Sequence, residues 1–395
     1  MVYMMDLRGK WVNVNTSYRN MIKQNKIAFV GNTSFSIYKF RLGVMKSFVS
    51  NGYEVFAIAP FDEYSNLFKK EGINYIPIEI QTKSKNIFAD LKIINNLSKI
   101  YRKNKIDFAF HYTIKPIIYG SFAARLNSIP TVAVTTGLGY TFKSEGFFNW
   151  FIIKLYKTAL LKVKEVWFLN SHDKDKFIET KIVKESKTFI LPSEGIDTEY
   201  YAPRKKNEDN KTFKFLLLSR LIKGKGVEEF IKAADKLKKK KNNVEFQILG
   251  KVESEESIIS VPLKEVLKWH DKGVINYLGE YIDVRTYIAN CDCVVLPTYY
   301  MEGVPRCLME GMSMEKPIIT TDNVGSNELI IDKVNGLKCK PKNVNSLAEK
   351  MELMLNTKFE DRVDMGKKGR QRILDFFDEQ KIIQIYQIKT KQFLS

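Results

Sequence analysis

Two short motifs in the second half of the chain combine charged residues with glycines directly after predicted strands. In the first, residues 217–227, a predicted strand ends at Ser219, a loop carries Arg220 and Lys225, and a helix begins near Gly226. Ligands of open α/β sheets bind beyond the carboxyl ends of the strands. Two cations there, beside glycines that let the backbone approach closely, suit a diphosphate. A surface loop with ordinary solubilising charges is the alternative for this segment taken alone.

The second motif, YYMEGVPRCLMEGM at residues 299–312, contains two glutamates separated by seven residues. Pro305 fits the first turn of a helix, which leaves Glu302 in the preceding loop. Glu310 then lies about five residues into the helix, roughly 7.5 Å along its axis. One carboxylate can therefore reach the middle of an extended ligand and the other its far end.

The start of this predicted helix, at Gly303, Val304 and Pro305, lies between the two glutamates. A helix N-terminus presents N–H groups without intrahelical partners and a positive dipole end, so it is a common place for a phosphate. Glu310 as an exposed helix carboxylate is disfavoured because its neighbours in the sequence are apolar. We therefore expect all five residues to contact a phosphorylated ligand.

The rest of the chain predicts the scaffold that positions these motifs. From Lys26 onward, short apolar runs alternate with longer amphipathic ones, which is typical of a parallel sheet covered by helices. The predicted strands form two series, at 27–30, 54–59, 73–78, 107–111, 131–134, 165–169 and 188–192, and then at 213–219, 244–249, 274–278, 293–297 and 317–321. A polar stretch between the two series reads as a linker, residues 203–211. Residues 346–394 are predicted to be wholly helical.

The expected fold class is α/β, with two Rossmann-like domains in tandem. We predict an extension without assigned elements at residues 1–25, one Rossmann-like domain at 26–200, and a second at 201–375. A last helix at 376–395 is expected to pack back across both domains.

Composition limits the classes of protein. The chain has 395 residues, of which 44% are hydrophobic and 28% charged, so disordered and fibrous classes are excluded. A net charge of +19 indicates a polyanionic partner, which could be nucleic acid, an anionic membrane or a phosphorylated ligand. Two basic amphipathic stretches, 83–105 and 154–164, suit either a solvated helix face or the surface of a membrane.

The cysteines and the N-terminus indicate the compartment. The four cysteines form no Cys-x-x-Cys pair, so a zinc site is not expected and the thiols read as reduced and cytosolic. Charges at Asp6, Arg8 and Lys10 interrupt any signal-peptide core, so no export is expected. Residues 147–169 are apolar but contain five charges, which argues against a membrane-spanning helix.

Together the motifs resemble the donor site of family 4 glycosyltransferases, which have the two-domain fold called GT-B. The resemblance rests on the Glu-x7-Glu motif, the Arg220 and Lys225 pair, and the downstream segments 320–330 and 335–337. In the first half it extends to GNTSFS at 31–36, to His111 and to TGLG at 136–139. These stretches are most similar to bacterial N-acetylgalactosaminyltransferases that act on polyprenyl-diphosphate-linked sugars.

The resemblance implies that residues 26–200 form the acceptor-binding domain and residues 201–375 the nucleotide-sugar-binding domain. It also implies a role for each site residue. Arg220 and Lys225 would bind the nucleotide diphosphate, Glu310 the ribose hydroxyls and Glu302 the transferred sugar. His111 would face that sugar from the opposite domain. The reaction would retain the anomeric configuration, with a UDP-sugar as donor, a polyprenyl-diphosphate-linked saccharide as acceptor, and neither metal nor other cofactor.

The first loop departs from the family pattern. Many relatives have two adjacent glycines where this chain has Gly31 followed by Asn32. The implied role of Gly31, approach to the diphosphate or to the acceptor, therefore stays open.

Asp173 and Asp175 match the Asp-x-Asp metal signature of another glycosyltransferase fold. They also fit the first turn of a helix, where acids are expected because they interact favourably with the helix dipole. We assign no metal to them.

Two other classes remain as alternatives. A UDP-N-acetylglucosamine 2-epimerase would share the fold, but it would be expected to use more acids and histidines around the sugar. A nucleic-acid-binding protein would fit the charge, but no recognition motif is evident. We expect no nucleic acid partner, and a cytoplasmic enzyme bound peripherally to the anionic inner leaflet of the membrane. The donor sugar, the acceptor sugar, the linkage and the oligomeric state are not predicted.

Overall fold

The fold comes from a computed structural model that describes residues 3–5, 11–13, 24–80, 87–138, 147–206, 212–252 and 257–395. Several predicted features lie partly outside these ranges. They are most of the extension at 1–25, residues 83–86 of the first basic stretch, Gly139, and residues 207–211 of the linker.

A short antiparallel pair that the sequence did not predict lies near the N-terminus. It joins β1 (Tyr3–Met5) to β2 (Trp11–Asn13), with Met4 opposite Val12. Strands of three residues are too short to display an alternating pattern, so periodicity could not reveal them.

The first predicted series of strands forms one sheet of seven strands. These are β3 (Lys26–Val30), β4 (Glu54–Ala59), β5 (Asn74–Pro77), β6 (Phe108–Tyr112), β7 (Thr131–Thr135), β8 (Glu165–Phe168) and β9 (Thr188–Ile190). The order across the sheet is β5-β4-β3-β6-β7-β8-β9. The chain therefore starts in the middle, builds outward on one side, and returns to build the other, which is the doubly wound arrangement.

The second series forms a separate sheet of six strands. They are β10 (Phe213–Leu218), β11 (Val244–Leu249), β12 (Asn276–Gly279), β13 (Cys293–Leu296), β14 (Ile318–Thr321) and β15 (Gly336–Cys339). The order is β12-β11-β10-β13-β14-β15, and all five pairs of neighbouring strands are parallel. Both sheets thus have a Rossmann-like strand order, which confirms the predicted α/β fold class.

Helices connect the strands, as parallel pairing requires. In the first half they are α1 (Ser34–Ser50), α2 (Ile87–Asn104), α3 (Ser121–Leu126), α4 (Phe147–Ala159) and α5 (Ser171–Glu179). In the second half they are α6 (Val227–Lys238), α7 (Leu263–Asp271), α8 (Arg285–Asn290), α9 (Arg306–Ser313), α10 (Ser326–Leu329), α11 (Val344–Asn356), α12 (Phe359–Phe376) and α13 (Glu379–Leu394). The last three confirm the helical C-terminal segment. None of the helices in the described ranges is both long and apolar enough to span a bilayer.

Side-chain caps set the start of several helices. The Thr33 hydroxyl accepts from the Ser36 amide, Asn170 accepts from Asp173, and Asn343 accepts from Ser346. Each cap satisfies one of the amides that a helix start leaves unbonded. Apolar strands then bury both faces of the sheets: Ile27, Ala28, Phe29 and Val30 of β3 are all 0% exposed.

By its internal contacts the chain divides into two compact units. The first comprises residues 1–133, 159–164 and 387–395, and the second comprises 134–158 and 165–386. The domain boundaries expected at residues 200 and 375 rest on a different criterion and stay predictions.

Candidate active site

Topology brings the two motifs of the second unit to the same edge of its sheet. Strands β10 and β13 are neighbours, and the strand order reverses direction between them. The first motif follows β10 at Leu218, and the second follows β13 at Leu296. Ligands of doubly wound sheets bind in the crevice beyond the carboxyl ends at this switch point.

Lys225 and Glu302 meet in a buried ion pair at this edge. The Lys225 Nζ lies 2.5 Å from the Glu302 Oε2, and the two side chains are only 11% and 13% exposed. The Thr298 hydroxyl donates to the other carboxylate oxygen, Oε1, at 2.9 Å. The structure therefore joins a predicted phosphate-binding cation to a predicted sugar-binding acid.

The loop after β13 is held by the loop after β10. The carbonyl of Gly224 accepts from the amides of Tyr299 and Tyr300, at 2.8 and 3.0 Å, and from the Thr298 hydroxyl at 3.2 Å. The next residue after Gly224 is Lys225, so these bonds fix the spacing between the two charges. Thr298 carries no chemical signature in the sequence, although its place directly after a strand could have suggested it.

Gly226 allows the two loops to approach. It has a φ of +77°, and a Cβ at this position would lie 2.2 Å from the carbonyl oxygen of Pro297. Only glycine adopts this conformation without strain and also fits the contact.

The Glu302–Gly303 turn is enclosed by backbone on several sides. A Cβ on Gly303 would lie 2.9 Å from the Thr136 carbonyl oxygen. A Cβ on Gly325 would lie 2.4 Å from the Gly303 carbonyl oxygen, and one on Gly137 would lie 3.0 Å from the Gly303 amide. Gly137 and Gly325 belong to segments that carry the family resemblance, but nothing in the sequence indicates that they pack against this turn.

Glu310 lies on helix α9, which begins at Arg306 directly after Pro305, close to the predicted start. Its Oε1 accepts from the Tyr201 hydroxyl at 3.0 Å and from the Arg306 Nε at 3.2 Å. Glu310 is 8% exposed, which confirms that it is not an exposed helix carboxylate. Neither Tyr201 nor Arg306 was identified from the sequence.

Arg220 lies on the loop after β10, and its side chain is exposed. Its carbonyl accepts from the Ser219 hydroxyl and from the Ile222 amide, which shapes the turn that leads to Lys225. The phosphate contacts expected of Arg220, and those of Gly303, Val304 and Pro305 at the helix start, stay predictions.

In the first unit, His111 is fully buried. Its Nε2 lies 2.9 Å from the Tyr101 hydroxyl, its Nδ1 lies 3.4 Å from the Ser121 hydroxyl, and a Cβ on Gly120 would lie 2.6 Å from the ring. Burial lowers the pKa of His111 to about 3, so the ring is neutral at physiological pH. Direct contact with a sugar would require the ring to give up one of these partners, and the catalytic role of His111 stays a prediction.

The structure brings Gly31 next to His111. Strands β3 and β6 pair Val30 with His111, and Gly31 follows Val30 at the carboxyl end. A Cβ on Gly31 would lie 2.7 Å from Ile37 of helix α1, so the loop passes close to that helix. The role of Gly31 also stays a prediction.

Asp173 is buried and hydrogen-bonded at the start of helix α5. It is 1% exposed, its amide donates to Asn170, and its carboxylate accepts from Asn170 and from the backbone of Leu138. Burial raises the pKa of the Asp173 carboxyl above its usual value. Within the described ranges, no group of three or more His, Cys, Asp or Glu residues could hold a metal ion.

Comparison with known families agrees with this geometry. Residues 201–372 match the family described as glycosyl transferases group 1, and residues 26–170 match the family described as glycosyl transferase 4-like. The first match contains the ion pair and Glu310, and the second contains Gly31 and His111.

Several individual proteins are similar over most of their length. The chain is 30% identical to the N,N'-diacetylbacillosaminyl-diphospho-undecaprenol alpha-1,3-N-acetylgalactosaminyltransferase of Campylobacter jejuni, covering 91% of this chain and 97% of that protein. It is 26% identical to the UDP-Gal:alpha-D-GlcNAc-diphosphoundecaprenol alpha-1,3-galactosyltransferase of Escherichia coli, covering 74% and 77%. An Anabaena protein crystallised in complex with UDP superimposes with a TM-score of 0.75 at 17% identity, covering 93% of this chain and 100% of that one. The chain therefore belongs to the family 4 glycosyltransferases and has the GT-B fold.

Proposed function

We propose that the enzyme transfers a sugar, an N-acetylhexosamine, from a UDP-sugar to a saccharide linked to a polyprenyl diphosphate. The observation that carries this proposal is the pair of acids on α9 and its preceding loop, with Glu302 bonded to Lys225 at the switch point. The names of the Campylobacter and Escherichia relatives support a lipid-linked acceptor.

The main chemical task is to stabilise the departing diphosphate. As the glycosidic bond breaks, negative charge grows on the phosphate and positive charge on the sugar ring. Lys225, Arg220 and the N-terminus of α9 offer fixed positive charge for the phosphate, so these residues can stabilise it directly. Removing one such group should lower the rate about 10²- to 10³-fold.

Glu302 orients the sugar in this scheme rather than attacking it. Thr298 and Lys225 already hold its two oxygens, which fixes the carboxylate plane beside the phosphate site. The acceptor hydroxyl would attack from the face that the phosphate leaves, and the phosphate would take its proton, so the configuration is retained without a covalent nucleophile.

The decisive experiment supplies a panel of UDP-sugars with a polyprenyl-diphosphate-linked saccharide and measures UDP release. Release that depends on the acceptor and on one N-acetylhexosamine donor is the expected result. Release without acceptor-dependent product, or interconversion of the donor sugar, would refute the proposal and favour an epimerase.

Two lysines in one loop give a matched pair of variants. Lys225 is buried at the ion pair, whereas Lys223, two residues earlier, is exposed. Lys225→Ala should lower activity at least about 100-fold, and Lys223→Ala should stay within about twofold of the wild type. Equal activities of the two variants would reject the role of Lys225.

We also propose that helix α4 contacts the anionic membrane that carries the acceptor. Trp150 and Phe151 are 49% and 39% exposed, and the Lys154 ammonium lies 4.0 Å from the Trp150 ring centroid. Exposed aromatic residues beside lysines are typical of helices that lie on a membrane surface. Liposome flotation should recover more enzyme with anionic lipid than without it, and less of a Trp150→Ser variant. Equal recovery with both lipid compositions would contradict the proposal.

A further inference from the structure

Tyr201 joins the segment that precedes the second sheet to helix α9. Its side chain is buried, with the residue 8% exposed, and its hydroxyl donates to the Glu310 Oε1 at 3.0 Å. Its carbonyl accepts from the Ser313 hydroxyl at 2.9 Å. Glu310 and Ser313 lie on α9, so Tyr201 is bonded to this helix through both its side chain and its backbone.

A second donor reaches the same carboxylate oxygen. Arg306 lies one turn before Glu310 on α9, and its Nε is 3.2 Å from Oε1. Its Nη1 donates to the carbonyl of Gly195 at 3.4 Å, at the other end of the segment that carries Tyr201. Two donors that approach one oxygen from different directions restrict rotation of the carboxylate about its last bond.

The segment with Tyr201 is itself fastened by the C-terminal helices. The Ile196 amide donates to the Phe377 carbonyl, and the Glu379 amide donates back to the Ile196 carbonyl. The Thr198 hydroxyl donates to the Asp378 carboxylate at 2.5 Å. The segment that carries Tyr201 is therefore bonded both to α9 and to the C-terminal part of the chain.

We propose that Tyr201, assisted by Arg306, is a positioning residue that holds the Glu310 carboxylate in the orientation needed to bind the ribose hydroxyls of the donor. This inference rests on the proposed function, in which Glu310 contacts the ribose. Tyr201 acts through Glu310 and does not itself touch the reacting atoms.

The hydroxyl of Tyr201 is a donor under all physiological conditions. Burial, followed by the negative charge of Glu310, raises its pKa above the usual value, so the phenol stays protonated. A carboxylate that accepts from such a donor can turn its other lone pairs towards a diol.

The experiment compares two ligands, UDP and 2′,3′-dideoxy-UDP, by isothermal titration calorimetry of the purified full chain. The wild type should bind UDP at least about tenfold more tightly, because bonds from hydroxyls to a charged carboxylate are lost with the dideoxy ligand. Tyr201→Phe keeps the ring and removes the hydroxyl. In this variant the discrimination, which is the ratio of the affinities for UDP and for the dideoxy ligand, should fall about three- to tenfold. The affinity for the dideoxy ligand itself should not change.

Kinetics give a second readout. Because ribose contacts act equally in the ground and transition states, Tyr201→Phe should raise KM for the UDP-sugar and leave kcat within about twofold. The control is Tyr200→Phe, since Tyr200 is 44% exposed and its ring packs against Arg285, with 3.5 Å between the guanidinium and the ring centroid. This control should match the wild type for both ligands.

A Glu310→Gln variant separates the two hypotheses. If Tyr201→Phe keeps its discrimination within twofold while Glu310→Gln loses it, the positioning role of Tyr201 is wrong and the ribose role of Glu310 stands. If Glu310→Gln also keeps its discrimination, Glu310 does not bind the ribose and both fail. Equal weakening of both ligands in Tyr201→Phe would show a purely structural role and would likewise overturn the inference.

Discussion

Neutralising Glu302 should increase the affinity for UDP while it lowers turnover. In the structure, Glu302 forms an ion pair with Lys225, the cation proposed to bind the diphosphate. A diphosphate that binds Lys225 must replace this contact, and it must also approach a carboxylate of like charge. The Glu302→Gln variant keeps the shape of the side chain and removes both obstacles.

The size of the effect follows from the geometry of the pair. The charges are 2.5 Å apart with side chains 11% and 13% exposed. At an effective dielectric constant of about 20, the attraction over this distance is about 7 kcal/mol. Desolvation of both groups offsets most of it, so the net value is about 1.5 to 3 kcal/mol. We therefore expect Glu302→Gln to bind UDP about 10- to 150-fold more tightly.

The assay is calorimetric titration with UDP, followed by steady-state kinetics with the full substrates. Turnover should fall about tenfold or more, because the sugar loses the carboxylate proposed to orient it. In a Lys225→Gln background the gain in UDP affinity should shrink below about threefold, since the two residues act on each other.

A matched control is Glu280→Gln, which breaks an exposed ion pair with Lys251 at 3.7 Å. Exposed pairs contribute little, so UDP affinity should not change. If Glu302→Gln binds UDP no more tightly than the wild type does, Glu302 does not compete for Lys225 and the reasoning is refuted.

Three further predictions concern stability and metal dependence. Gly226→Ala should destabilise the chain and weaken UDP binding more than Gly273→Ala does. Both glycines have a positive φ, at +77° and +69°, but only a Cβ on Gly226 would meet another atom within 4 Å. Equal melting temperatures of the two variants would contradict this prediction. The pKa of His111 is lowered to about 3 in the folded chain, so its ring stays neutral there. In the unfolded chain the same ring is protonated below a pH of about 6.5. The free energy of unfolding should therefore fall as pH drops from about 6.5 towards 3, by up to about 1.4 kcal/mol per pH unit from this residue, and His111→Gln should lack that part of the slope in denaturant titrations. Finally, UDP release should persist in excess EDTA, because Lys225 and Arg220 are proposed to supply the positive charge; loss of activity that Mg²⁺ or Mn²⁺ restores would show otherwise.

Most of the fold could be predicted because its strands are buried on both faces. Strand β11 has the predicted bounds, and β10 and β13 end one residue before the predicted ends. Strand β15 was not predicted, since Gly336 and Lys338 interrupt its apolar character and the strand has only four residues. Continuous apolar runs are a strong signal, and short mixed strands are not.

The residues of the candidate site could be selected by their type, but their bonding partners could not be predicted. Glu302 and Glu310 stand out because two acids flank a helix start that contains proline, and Lys225 because it follows a strand. Nothing in the sequence indicates that Lys225 and Glu302, 77 positions apart, bind each other. Tyr201 lies 109 positions from Glu310 and belongs to no motif with a chemical signature, so only the fold reveals the contact.

The bond between Thr198 and Asp378 has a consequence for biosynthesis, because 180 positions separate the two residues. At a synthesis rate of about 5 to 20 residues per second, the ribosome needs roughly 10 to 40 seconds to make the intervening chain. Until then the segment from Gly195 to Tyr201 lacks its bonds to the C-terminal part of the chain. A nascent chain can therefore complete the proposed nucleotide site only when translation is nearly finished. A premature stop before Phe377 would yield a product with every motif intact but with this segment unanchored.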